Sequence, residues 1–199
     1  HTTSVLRDQI LFDAVRYGST EAEAFALARW ADYAAGRPVH ADILRSVLQT
    51  AAHCGERRTF NRLERRFRHS ESEHERMTIL AALGCFRGRP EIEAVLEYAL
   101  TSVPARNRFI PVVALAANEA AAGPLWDWYA GQLARIEELH PMLYERVVAA
   151  VIPAAGLERP EAVRAFFADY ARRNAKAADV IRLSLERLEI NLRLRERVG

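Results

Sequence analysis

Apolar residues recur at helical spacing from one end of this chain to the other, and that pattern most narrows the folds open to it. Ile43, Val47 and Ala51 stand four apart, and Phe60, Leu63 and Phe67 follow one face at three and four. Ile92, Val95, Leu96 and Ala99 repeat the spacing, as do Leu143, Val147 and Val151. Val163, Phe166, Phe167 and Tyr170 form another stripe, and Ile181, Leu185, Leu188 and Leu192 form the last. Each is the mark of a helix with one buried face. No stretch sustains the apolar–polar alternation with β-branched enrichment that a half-buried strand requires. The reading is all-α, with about eleven helices.

The residues between the stripes agree with it. Thr20-x-x-Glu23 and Ser72-x-x-Glu75 have the form of capping boxes, in which a hydroxyl covers free N–H groups while the glutamate reaches back. Pro90, Pro124 and Pro160 fall where a first helical turn would begin, where no N–H is needed. Gly18, Gly36, Gly55, Gly88 and Gly156 follow apolar stripes, as left-handed C-terminal caps would. Links this short make antiparallel hairpins. The hairpins recur at roughly 35 to 45 residues, the period of helical repeat proteins. Each has an apolar face that stacking on its neighbour would bury. The expectation is a HEAT/ARM-like α-solenoid forming one domain over residues 1–199.

Chemistry is harder to find. A zinc peptidase motif H-E-x-x-H places two histidines one helical turn apart; the nearest pair, His69 and His74, is five apart and would diverge. No Gly-x-Ser-x-Gly elbow and no phosphate-cradling glycine loop occurs. Cys54 and Cys85 are too few for a disulfide framework and read as buried, reduced thiols. Glu186 and Glu189, amid Arg182, Arg187 and Arg193, read as ion pairing on a helix surface. No catalytic residue, metal ligand or cofactor is assigned within this chain.

Charge gives the one local bias. The net charge is only +2, which points to neither nucleic acid nor an anionic membrane as a partner. The apolar run Val147–Leu157 is too short for a membrane span. Yet Arg57, Arg58, Arg62, Arg65, Arg66 and Arg68 crowd one helix whose apolar face is Phe60, Leu63 and Phe67. Such a face is solvated by default; its sharper reading is an anion-binding strip for a carboxylate or acidic peptide, with Arg62 and Arg66 as substrate-binding candidates, since arginine's fork suits a carboxylate. Trp126, Tyr129, Leu133 and Ile136 share one stripe and read as core, whereas Trp128 falls off it and is expected to be exposed.

The order of segments resembles the C-terminal domain of the aminopeptidase N and tricorn-interacting-factor family of zinc peptidases. Val5-Leu-Arg-Asp-Gln-Ile-Leu-Phe-Asp-Ala14 is similar to that domain's first helix and Ala24-Phe-Ala-Leu-Ala-Arg-Trp30 to its second. Phe60–Phe67, Glu75–Leu83 and Asn118 with Trp126 follow in matching order, and Ala165–Asp169 and Leu185–Asn191 resemble its closing helices. Leu194 stands where an aromatic residue is usual, and the glycine expected after Asn118 is displaced to Gly123. The resemblance implies a non-catalytic domain that encloses an active-site chamber and helps admit peptide substrates. Zinc and the catalytic residues would then lie in an upstream domain of the same polypeptide, its first partner, with peptide as the second. The expected location is the cytoplasm. The opening His1-Thr2-Thr3 reads as a tag remnant ahead of a piece of a longer protein. A free-standing HEAT-like interaction scaffold would satisfy the same helical pattern.

Overall fold

The apolar stripes become helices in the computed structural model, which describes residues 2–198, with side chains from 9 to 197 apart from position 176. His1 and the opening motif's side chains up to Asp8 lie outside the described residues. Among the described residues every regular element is helical. Twelve α-helices appear there, against about eleven expected: α1 Thr2–Arg16, α2 Thr20–Ala34, α3 Ala41–His53, α4 Arg57–His69, α5 Glu73–Leu83, α6 Arg89–Thr101, α7 Phe109–Ala116, α8 Ala122–Gly131, α9 Leu133–Glu137, α10 Pro141–Ala155, α11 Pro160–Arg173 and α12 Ala178–Val198. The chain divides into two compact units, His1–Glu91 and Ile92–Gly199, with the division inside α6.

In the first unit α3 is the centre, packed against α1, α2 and α5, while α4 packs chiefly on α5. Helices α1, α3 and α5 therefore succeed one another in one layer, with α2 and α4 returning between them, as stacked hairpins require. Val47, Leu48, Leu63, Ile79, Leu80 and Leu83 are fully buried there. In the second unit α10 takes the central place, against α7, α8, α11 and α12. An aromatic cluster fills the space beside it: Phe167 lies 5.4 Å from Tyr129, 5.1 Å from Phe166 and 6.2 Å from Trp126, centre to centre. No single helix among the described residues is long and apolar enough to cross a membrane.

The glycines divide by cause. Gly18 and Gly36 sit at φ 88° and 78°, as expected of left-handed caps. Each closes its helix with the paired bonds of a Schellman turn: Ser19 N–H to Ala14 O and Gly18 N–H to Val15 O in the first, Arg37 to Asp32 and Gly36 to Tyr33 in the second. Gly55, Gly88 and Gly156 are not left-handed, and the expectation for them is corrected. At Gly156, φ is −67°, and the constraint is space. A Cβ there would lie 2.6 Å from Leu188 Cδ1 and 2.8 Å from Ile152 O, so the residue lets the end of α10 approach α12. Gly156→Ala is therefore expected to destabilise the second unit by about 1–3 kcal/mol, the usual cost of overpacking; a urea melt of the purified variant measures it.

Other boundaries shift for local reasons. Ser19, not Thr20, caps α2, accepting from Ala22 N–H at 3.3 Å. The predicted stripe from Trp126 to Ile136 is cut at Gln132, which follows the poor helix former Gly131, although Trp126, Tyr129 and Ile136 are all buried. Trp128 is half-buried with its indole N–H enclosed, where exposure was expected. Both cysteines are free; Cys85 is mostly enclosed and burial pushes its thiol up to about 12. Cys54, the residue that ends α3, is exposed instead of buried, because it lies past the last buried turn of that helix.

Candidate functional site

Helix α4 carries the arginine face. Phe60, Leu63 and Phe67 are 4%, 0% and 5% exposed and fix which side of the helix meets the core. The arginines take what is left, but they do not form one set. Arg68 pairs with Glu64 one turn earlier, and the Arg57 guanidinium lies 4.9 Å from the centre of the Phe60 ring. Arg66 turns toward α5: its Nε donates to Glu75 Oε1 at 2.8 Å and its guanidinium lies 5.3 Å from the Tyr33 ring. Arg58, Arg62 and Arg65 are exposed, and no ion pair engages them among the described residues. The two candidates therefore differ: Arg62 is open to solvent, and Arg66 is held by its own fold.

The group that holds Arg66 is Glu75, whose side chain is only 12% exposed. Its carboxylate accepts from Tyr33 Oη at 2.6 Å, from Arg66 and from Ser70 Oγ. Burial pushes the Glu75 carboxyl up, but the hydrogen bonds from Ser70, Tyr33 and Arg66 together outweigh it and leave it below the usual glutamate range. Tyr33 is driven the other way, first by burial and then by donating to Glu75, and stays protonated. The expected capping box is thus half right. Ser72 Oγ accepts from Glu75 N–H at 3.2 Å, but the glutamate side chain does not return. Ser70 Oγ takes its place and accepts the Ser72 N–H at 3.2 Å. Sequence reasoning missed this cluster because Tyr33 is forty-two residues from Glu75 and nothing local links them.

A second polar cluster lies in the other unit. Tyr170 donates to Glu137 at 2.6 Å and accepts from Asn174 at 2.8 Å, and Tyr129 and Tyr144 face each other at 3.4 Å between their oxygens. Burial raises all three phenols, so they serve as fixed hydrogen-bonding groups. Glu189 pairs with Arg164 of α11 at 2.7 Å, not with the arginines of its own helix as expected, while Glu186 does pair with Arg182 at 3.1 Å. A shallow groove of about 310 Å³ runs between α11 and α12, floored by Ala171, Ile181 and Leu185. His69 Nδ1 lies 2.8 Å from Arg65 O, and His74 is exposed. Among the described residues no three His, Cys, Asp or Glu side chains gather as metal ligands would. What the charged face can do chemically is bind anions.

Among the described residues these features amount to an all-helical chain with a charged face open to solvent. The chain belongs to the ERAP1-like C-terminal domain family, whose model matches residues 1–190. It is similar to a protein named Aminopeptidase 2 from Candida albicans (strain SC5314 / ATCC MYA-2876), 27% identical over 190 residues, an alignment covering 88% of this chain and 20% of the relative. The chain thus matches about a fifth of the length of that curated relative.

Proposed function

We propose that this chain is the non-catalytic domain of a zinc aminopeptidase, enclosing the active-site chamber and helping to admit and position peptides for removal of their N-terminal residue. The observation that carries the reading is the family match over residues 1–190, together with a relative whose name is that of an aminopeptidase. The donor set present does not fit zinc, since the described residues gather no three metal-ligating side chains. A tetrahedral catalytic site needs three such ligands and an open position. On this proposal zinc is held by an upstream catalytic domain of the same polypeptide. The helical layers contribute a surface that this partner domain and a peptide can share.

The test compares two proteins. The full-length polypeptide should hydrolyse amino-acyl chromogenic substrates, lose that activity to a chelator and regain it with zinc. The 199-residue chain alone should show no turnover under either condition. Chelator-insensitive turnover by the chain alone would refute the non-catalytic assignment. A native reading frame without a zinc-binding H-E-x-x-H upstream would end the aminopeptidase reading and leave the helical scaffold.

A further inference from the structure

We infer that Arg58, Arg62 and Arg65 of α4 form a docking strip for an acidic peptide segment with carboxylates at alternate residues. The three stand at i, i+4 and i+7, so they fall on one line along the helix. Successive members rise about 6 and 4.5 Å at about 1.5 Å per residue. In an extended peptide every second side chain points the same way, about 7 Å apart, a mismatch that long arginine side chains absorb. No acid lies on the line itself, and the nearest one on the helix, Glu64, is occupied by Arg68. The strip is also held in place. Its helix buries Phe60, Leu63 and Phe67, and Arg66 anchors it to Glu75.

Helix α4 departs from the pattern that α2 and α5 of the same unit keep. Helices α2 and α5 begin with a serine that accepts a backbone N–H, and with glutamates in the first turn. Helix α4 begins with Arg57 and Arg58, no acid in the first turn and no side-chain cap from Glu56. Cations at the positive end of a helix are unfavourable. A sequence that keeps them there departs from local consistency in the way functional surfaces do.

The chemistry favours a peptide over the other polyanions. Single-stranded nucleic acid is held by aromatic platforms beside the basic groups, and both phenylalanines of α4 are buried. A helix that lies in a membrane interface inserts apolar side chains, and none of the large exposed apolar residues, which include Ile10, Tyr17, Phe25 and Met142, lies on α4. Guanidinium forks match carboxylates in pairs. The inference shares with the proposed function only the premise that peptides reach this domain, and its test requires neither zinc nor the catalytic domain.

The experiment titrates the 199-residue chain at low salt into a fluorescein-labelled peptide of alternating glutamate and alanine, and into its glutamine twin. The acidic peptide should bind and the twin should not. Combining Arg58→Glu, Arg62→Glu and Arg65→Glu should weaken binding about tenfold or more, three exposed ion pairs each contributing a few-fold. The triple Arg→Gln variant, with an unchanged circular dichroism spectrum and melting temperature, should lose binding in the same direction, which separates lost charge from lost folding. Equal affinity of wild type and the folded glutamine variant would overturn the inference. So would equal binding of the two peptides, or tighter binding of a single-stranded RNA or of phosphatidylserine vesicles than of the acidic peptide. Failure of the wild-type chain to bind the acidic peptide, with zinc-dependent peptidase activity intact in the full-length protein, would count against the strip alone.

Discussion

Phe167→Ala is expected to lower the stability of the second unit by about 4 kcal/mol, near the upper end of what a single core truncation does. Phe167 is fully buried, and four aromatic rings surround it: Trp126, Tyr129, Phe166 and Tyr170. Removing the ring deletes its transfer free energy and leaves a cavity that these stiff side chains cannot collapse to fill. The edge-on and tilted ring pairs lost with it are part of that figure and place it toward the upper end of the range. Helices α8 and α11 carry all five rings, so the loss should appear first as faster amide exchange over 122–131 and 160–173. Phe167→Leu should recover much of the difference. Chemical denaturation gives the free energy and hydrogen exchange gives its location; a shift below 1 kcal/mol would show that the cluster is loosely packed.

The position of that ring was legible because Val163, Phe166, Phe167 and Tyr170 repeat at helical spacing, and three of the four are buried. Burial along α4 was legible for the same reason. What periodicity cannot carry is the identity of partners far apart in the chain. Glu75 looked like the second member of a capping box, and the box depends only on residues three apart. Its actual donors come from α2, from α4 and from the turn between α4 and α5. The glycines show the same boundary. Gly18 and Gly36 serve backbone conformation, which a local pattern reveals, whereas Gly156 serves the approach of Leu188, thirty-two positions later.

The candidate site was legible as composition but not as arrangement. Six arginines on one helix mark a charged face, yet helical spacing alone does not say which of them are committed. Arg62 and Arg66 are four apart and look equivalent. Tertiary structure separates them, because Arg66 points at a mostly enclosed carboxylate and Arg62 does not. The open members of the face are those at 58, 62 and 65, and the committed ones pin the helix that presents them. Contacts that hold the fold and charge left open to solvent are thus divided among residues of one type on one helix.

That division predicts the effect of Glu75→Ala. The variant should lose about 3 kcal/mol of stability in the first unit, because a carboxylate with three donors is removed and the Tyr33 and Ser70 hydroxyls lose their acceptor. Arg66 is 51% exposed, so its share is discounted for solvent screening and most of the loss comes from the two hydroxyls. Tyr33→Phe should cost about 1 kcal/mol, one hydrogen bond with no acceptor left stranded. Acid gives an independent readout. Because the folded-state pKa of Glu75 is depressed, its contribution is fully present above the unfolded value of about 4.3 and is lost as pH falls through the folded value. Wild type should therefore lose stability on acidification more steeply than Glu75→Gln, which has no proton to take up at this position. Denaturation midpoints measured for both proteins between neutral pH and the acid limb decide it. Parallel curves would mean that the carboxylate is no better held in the folded protein than in the unfolded chain.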